Sequence, residues 1–300
     1  MKFGKLSNID HVDFTIPDLQ FANSDLNASS NTNIYLGTTG WSNKVWNGSY
    51  YPQGTKSADF LMEYGHLFNT IELNSTHYHI PSEERVTSWK NKVKEGFIFC
   101  PKIPQTISHK SNLGSETSQT NTFFRSIQGF GNTLGTTFMQ LPEYFSPQNS
   151  DQLLHFLNRK SKNIQLAIEL RHKGWFVNDA HQLRILADQL VDLDTGLVIT
   201  DVAGRRDVCH CILPNQTLMI RLVGNSLHQT DYQRMDQWIG QISRNQSQLK
   251  DIYVFFHQPS MEDIPPMVNY FIAQLQKAGL NSPISTLMEK YKPDIQLKLF

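Results

Sequence analysis

Six ionisable residues stand at or near the ends of short apolar runs: Glu72, Lys102, Glu169, Arg171, Asp201 and Arg221. A carboxylate beside cations in a cleft has its proton affinity tuned and suits acid–base work. Two arginines and a lysine together suit an anion such as a phosphate or a carboxylate. Glu72 and Glu169 are read as the acid–base pair, with Asp201 and His109 as further catalytic candidates. Lys102, Arg171 and Arg221 are read as the anion-holding set, with Asn74, Gln140 and Asp201 orienting groups by hydrogen bonds. His257 and the aromatics Trp41, Tyr78 and Trp175 complete the predicted ligand contacts, because rings near such a site stack on sugars or bases.

The spacing supports this grouping. In Thr70-Ile71-Glu72-Leu73-Asn74-Ser75-Thr76, a strand's alternation puts Glu72, Asn74 and Thr76 on one face and Ile71 and Leu73 on the other. Glu169 and Arg171 repeat the arrangement against Ile168 and Leu170. A glutamate within a buried strand is expensive unless it is paired or solvated. Two structures of explanation therefore compete: a site that uses these charges, and a network in which they only satisfy one another. Histidines 77, 79, 109, 172, 228 and 257 follow or end the same runs, and with Glu and Asp they form a donor set compatible with a divalent metal. The chain contains no HExxH and no paired CxxC, so no metal site is predicted and no cofactor is assigned. Cys209-His210-Cys211 has ligand-type residues, but neighbouring side chains on an extended segment diverge.

Eight apolar runs must position these groups: 34–41, 70–76, 97–104, 133–142, 164–171, 196–201, 218–224 and 252–258. Most are too short for helices, and helical patterns separate them at 57–69, 81–95, 120–130, 149–160, 178–193, 231–245 and 263–279. Ser57, Ser82, Asn178 and Asp231 are candidate N-caps. This alternation predicts an α/β fold, a single (β/α)8 barrel of the TIM type, whose chemistry belongs at the C-terminal strand ends. Only the link 202–217 has no amphipathic helix pattern. The expected organisation is an N-terminal extension over 1–33, a barrel over 34–280 and a short tail over 281–300. The segment DFTIPDL is expected to dock at the N-terminal end of the barrel, and the polar stretch 23–33 to act as a linker.

Composition narrows the partners. Lys plus Arg and Asp plus Glu number 27 each, for a formal charge of zero. That argues against a large non-specific nucleic-acid surface. Three cysteines without framework spacing, no signal-peptide pattern and no membrane-length apolar stretch point to a cytoplasmic protein without a membrane partner.

The chain resembles the domain of unknown function 72 family, also called YecE-like. The resemblance rests on Gly37-Thr38-Thr39-Gly40-Trp41, Trp46-Asn47-Gly48 with Tyr51-Pro52, and Glu72-Leu73-Asn74-Ser75-Thr76-His77-Tyr78. It continues through Lys102 with Pro104 and His109, Gln140-Leu141-Pro142, Glu169-Leu170-Arg171 with Trp175, Asp201, Arg221, and Tyr232 with Trp238. It covers roughly residues 34–275, implies a TIM-type barrel and implies no particular reaction. Two departures stand out: His77 where the family usually has phenylalanine, and Phe256-His257-Gln258 where it favours Phe-Asn-Asn. The expectation is an enzyme acting on a small anionic ligand, a phosphorylated sugar or a nucleotide-like compound, through carboxylate acid–base chemistry at the barrel mouth. Hydrolase, isomerase and lyase chemistry all fit that inventory. The alternative is a non-catalytic module binding a nucleotide or a nucleic-acid end, nucleic acid being compatible but not favoured.

Overall fold

A computed structural model describes residues 3–23, 31–110, 113, 118–160, 163–288 and 290. Its eight long strands are β1 (Asn33–Thr38), β2 (Thr70–Leu73), β3 (Ile98–Pro101), β4 (Thr137–Gln140), β5 (Leu166–Glu169), β6 (Thr195–Asp201), β7 (Thr217–Val223) and β8 (Asp251–His257). Neighbours pair in parallel in the order β3-β2-β1-β8-β7-β6-β5-β4. The ring closes between β3 and β4, where the Gly135 N–H donates to the Phe99 carbonyl and the Ile103 N–H to the Phe138 carbonyl, each at 2.8 Å. This is the expected (β/α)8 barrel.

Strands covered on both faces need apolar side chains on both, which is why these runs are nearly continuous in Val, Ile, Leu and Phe. Inside the barrel Cys100, Phe138, Ala167, Val198, Met219, Tyr253 and Phe255 pack together with Tyr35 and Ile98. The Tyr35 and Tyr253 rings stack at 4.7 Å. This plug fills the lower barrel and leaves the polar residues one step further along each strand to form the mouth. Gly37 allows β1 to approach β2: a Cβ there would lie 2.3 Å from the Thr70 carbonyl oxygen.

The outer helices are α1 (Phe60–Leu67), α2 (Glu83–Lys90), α3 (Ser118–Gln128), α4 (Ser150–Asn158), α5 (Val177–Asp192), α6 (Gln229–Asn245) and α7 (Ile264–Lys277). Ser82 caps α2 as expected, its hydroxyl accepting the Arg85 N–H. The other three cap expectations do not hold. Asp59 precedes α1 in place of Ser57, Asn178 adopts left-handed backbone, and His228 caps α6 while Asp231 lies within it.

Between β6 and β7 the chain makes a 3-10 turn at Arg206–Val208 and a two-residue strand, Ile212–Leu213. The N-terminal arm covers this helix-free flank. Gln20–Phe21 pairs in parallel with Ile212–Leu213, and Gln20 accepts a bond from Arg184 of α5. The Ile16 and Leu19 amides donate to Gln237 and Gln241 of α6, while Phe14, Ile16 and Leu19 are buried. DFTIPDL therefore docks along the side of the barrel rather than at its N-terminal end. Further upstream the arm turns over the C-terminal end, where the Gly204 N–H donates to the Gly4 carbonyl. Most of the predicted linker (24–30) lies outside the described residues, as do 289 and 291–300 of the tail. Ile284 and Leu287 are buried, and Asn269 of α7 bonds both the N–H and the carbonyl of Leu287.

Candidate ligand site at the barrel mouth

Polar groups at the ends of six of the eight strands, β2, β3, β4, β5, β7 and β8, join in a single network. Glu72 on β2 and Glu169 on β5 are joined by Arg221 on β7. Arg221 donates to Glu72 from Nε at 3.0 Å and Nη2 at 2.8 Å, and to Glu169 from Nη1 at 2.8 Å. Arg171 donates from Nε to the other Glu169 oxygen at 2.8 Å. Gln140 on β4 links the remaining cation: its Nε2 donates to Glu169 and its Oε1 accepts from Lys102 Nζ, at 2.8 and 2.9 Å. Asn74 donates to Glu72 Oε1 at 2.8 Å, and His257 Nε2 lies 3.0 Å from Glu72 Oε2. The Phe138 ring lies beneath, 5.8 Å from Lys102 Nζ and 5.9 Å from the Arg221 guanidinium.

Both carboxylates are fully buried, which alone would raise their pKa values, but their cations prevail. Arg221 and His257 hold Glu72 well below the usual carboxylate range, and Arg171, Arg221 and Lys102 bring Glu169 to about 2. Each carboxylate is thus ionised and saturated with donors at neutral pH. Burial lowers the pKa of His257 despite Glu72, so the imidazole is neutral and the 3.0 Å contact is a hydrogen bond rather than an ion pair. An ionised Glu72 only accepts, so the nitrogen that faces it, Nε2, carries the proton and Nδ1 keeps its lone pair. Burial, with Lys102 nearby, brings His77 to about 4, and its Nδ1 donates to the Ile103 carbonyl at 2.8 Å. Burial and then Arg221 bring Lys102 down to about 8.

Above this network lies an open cavity of about 580 Å³. Its walls contain Asn74, Tyr78, Lys102, Gln140, Arg171, Arg221 and His257, together with Thr39, Glu143 and the arm's Phe3. Phe3 stacks 4.1 Å over the Arg171 guanidinium and also faces Arg205 at 5.1 Å. A second cavity of about 500 Å³ lies between arm residues 4–10 and the loops after β7 and β8, and shares His257. Sequence reasoning missed Phe3, Thr39 and Glu143. The Phe3 contact crosses from an arm outside the strand pattern, and no local signal marks it.

Three predicted site residues lie elsewhere. Asp201 is directed outward from β6, where it bonds Arg234 at 3.0 Å and Trp238 Nε1 at 2.9 Å on α6 and pairs with Arg206. Val198 points into the barrel, so strand alternation sends Asp201, three residues on, to the opposite face. Trp175 is buried, with its Nε1 donating to the Phe145 carbonyl at 2.9 Å. Trp41 is half-buried, edge-on to Trp89 at 5.5 Å, and absent from the cavity wall. His109 is exposed beside the mouth, its ring 5.6 Å from His77 and bonded to Ser108. Thr76 leaves the expected strand face because the chain turns into a helical turn at Ser75–Tyr78, where its hydroxyl bonds the Lys102 backbone. Among the described residues no three His, Cys, Asp or Glu side chains converge as metal ligands. None of the described helices is long and apolar enough to cross a membrane.

The family profile described as "Protein of unknown function DUF72" matches residues 35–290. The chain belongs to the DUF72 family. UPF0759 protein YecE of Escherichia coli K12 is 27% identical over 268 residues, spanning 81% of this chain and 93% of YecE. UPF0759 protein YunF of Bacillus subtilis 168 is 23% identical, over 77% of this chain and 90% of YunF. A crystal structure of a DUF72 protein from Enterococcus faecalis V583 superposes with a TM-score of 0.62 at 19% identity, covering 84% of this chain and all of that one. One from Thermotoga maritima MSB8 does so with a TM-score of 0.57 at 22% identity, over 75% of this chain and 92% of that one. These structures agree on the DUF72 barrel. The match begins after the arm, so Phe3 and its neighbours lie outside the DUF72 region.

Proposed function

We propose that this DUF72 protein is an enzyme that binds a small anionic compound, a phosphorylated sugar or a nucleotide-like molecule, at the barrel mouth. The observation that carries the reading is how the charges are layered. Lys102, Arg171 and Arg221 line the cavity, whereas Glu72 and Glu169 lie behind them, fully buried. In the buried network three cations stand against two carboxylates, and the cations are on the side of the open space, an excess of one positive charge before the rim carboxylate is counted. Among the described residues the one carboxylate on the wall is Glu143, on the exposed rim. A volume of about 580 Å³ suits a metabolite-sized ligand.

Glu72 and Glu169, expected as the acid–base pair, fit better as counter-ions that fix the cations. A carboxylate held at about 2 is a weak base at neutral pH. The better proton carrier is His257, a neutral imidazole whose Nε2–H is fixed by Glu72 and whose Nδ1 can accept a proton. A carboxylate orienting a histidine base in this way recurs in unrelated hydrolases. Tyr78, 62% exposed on the cavity wall, keeps a nucleotide among the ligands, since a base can stack on its ring.

Calorimetric titration with inorganic phosphate, glucose 6-phosphate, AMP and uncharged glucose tests this reading. An anion should bind where glucose does not. Arg171→Ala should weaken it roughly tenfold to a hundredfold, the ~1.5–3 kcal/mol of a charged hydrogen bond. Equal binding of glucose and glucose 6-phosphate, or unchanged affinity in Arg171→Ala, would refute the anion site.

A further inference from the structure

Lys102 differs from the other cations of the mouth. Among the described residues it has no carboxylate within ion-pair distance, because Arg171 and Arg221 occupy Glu169, and Arg221, Asn74 and His257 occupy Glu72. Its Nζ instead donates to Gln140 Oε1, a neutral oxygen whose direction is fixed by the Gln140 bond to Glu169. An amide oxygen steers an amine without retaining its proton as a carboxylate would. The side chain is 7% exposed and stands in the cavity wall, so the amine is largely desolvated yet open to the mouth. Desolvation beside other cations is the setting that makes a lysine nucleophilic.

We propose that Lys102 forms a Schiff base with an anionic carbonyl compound, a 2-oxo acid or a phosphorylated aldehyde or ketone, held at the mouth by Arg171 and Arg221. The anionic half of that ligand rests on the anion site proposed above, whereas the amine chemistry rests on the surroundings of Lys102. In the first step the Nζ lone pair attacks the carbonyl carbon and a C–N bond forms. The C=O π pair moves to oxygen, which takes a proton, and nitrogen gives one up. The resulting carbinolamine is protonated on its hydroxyl and loses water as the nitrogen pair closes the C=N bond. The balance is neutral amine plus carbonyl plus one proton giving iminium plus water, with no oxidant or reductant. The neutral imidazole of His257, on the cavity wall, is placed to carry those protons.

Burial first and then Arg221 and Arg171 lower the amine's proton affinity, while Glu169 and Glu72 raise it; His77 and His109, on the adjoining loops, are themselves lowered by burial and by Lys102. With Lys102 at about 8, roughly a tenth of it is neutral at pH 7 and about half at pH 8. An ordinary surface lysine is neutral to less than about one part in a thousand at pH 7.

The full-length protein is incubated with pyruvate, glyceraldehyde 3-phosphate or uncharged acetaldehyde, each with cyanoborohydride to reduce any iminium to a stable secondary amine. Peptide mass mapping then follows the adduct at Lys102 and at the exposed Lys44 and Lys56. The proposal expects Lys102 to be labelled at least tenfold faster than either, with a half-maximal rate near pH 8 and preference for the anionic compounds. It also expects no such fast site in Lys102→Arg. Labelling of Lys102 no faster than Lys44, or with a midpoint above pH 10, would overturn the proposal in the wild-type protein, without reliance on a variant. Slow labelling despite phosphate binding would sink the Schiff base and leave the anion site standing. Fast labelling without preference for pyruvate or glyceraldehyde 3-phosphate over acetaldehyde would refute the anionic carbonyl ligand and count against the anion site, not the amine. A stronger response to pyruvate selects the 2-oxo acid, and one to glyceraldehyde 3-phosphate selects the phosphorylated aldehyde.

Discussion

Arg221→Met removes the guanidinium that joins Glu72 to Glu169 while keeping a side chain of similar reach. Arg221 supplies two of the bonds to Glu72 and one to Glu169, and both carboxylates are shielded from water. Removing one partner of a buried pair costs about 3–5 kcal/mol, because the other charge stays buried and uncompensated. Linkage gives a comparable scale. Glu169 titrates at about 2 rather than 4.5, and at ~1.4 kcal/mol per pH unit that difference is ~3 kcal/mol, shared among Arg171, Arg221 and Lys102. The sign follows from the depressed folded-state values. In the wild type this stabilisation is complete above about pH 4.5 and is lost as the pH falls toward 2. In the variant Glu72 loses its principal cation, burial raises its pKa, and protonation relieves the unpaired charge as the pH falls from neutral. The assay is urea unfolding of both proteins at pH 7, 6, 5 and 4. The stability difference should be about 3–5 kcal/mol at pH 7 and shrink steadily toward pH 4. Adding Glu72→Gln to Arg221→Met should recover part of the loss at pH 7. A difference below ~1 kcal/mol at pH 7 would show that the pair behaves like an exposed one. A difference that does not shrink with acid would show that unpaired charge is not its cause.

Two further substitutions separate the mouth from its surroundings. Asp201→Asn removes the buried charge paired with Arg234 and Arg206 and replaces one of the two acceptor oxygens that face them and Trp238 with a donor. It should cost about 3–5 kcal/mol in urea unfolding yet leave phosphate affinity within twofold, whereas a catalytic Asp201 at the mouth would show the reverse. Phe3→Ala removes the ring stacked on Arg171. A cation–π contact of ~0.5–2 kcal/mol that competes with the ligand predicts phosphate binding tighter by roughly twofold to thirtyfold, and unchanged or weaker binding would exclude competition by the arm.

The fold was open to reading because each apolar run carries its own evidence. Parallel strands buried on both faces and divided by helical patterns have few arrangements available, and the eight runs map one to one onto β1–β8. The helix-free link 202–217 was also visible, as a missing period. That the N-terminal arm covers that flank was not, because the pairing of Gln20–Phe21 with Ile212–Leu213 joins segments nearly two hundred residues apart through main-chain bonds. Main-chain pairing of that kind leaves no side-chain pattern to detect.

The same contrast explains which site residues converge. A position at a strand's C-terminal end fixes height on the barrel, but direction depends on parity relative to a residue known to point inward. Glu72, Gln140, Glu169 and Arg221 each follow an inward position by two residues: Thr70, Phe138, Ala167 and Met219. Asp201 follows Val198 by three, and that odd step sends it to α6. Asp201 was therefore misplaced by counting ends rather than faces. The carboxylates raise a different difficulty, because their placement was legible and their protonation was not. Only the partners reveal that both glutamates are held ionised by arginine, and the one they share, Arg221, comes from a strand 52 residues from Glu169 and 149 from Glu72. Saturation of the glutamates also leaves Lys102 with a neutral acceptor and His257 with an unprotonated Nδ1. The groups able to exchange protons or make bonds at neutral pH are thus the ones the buried carboxylates hold in place.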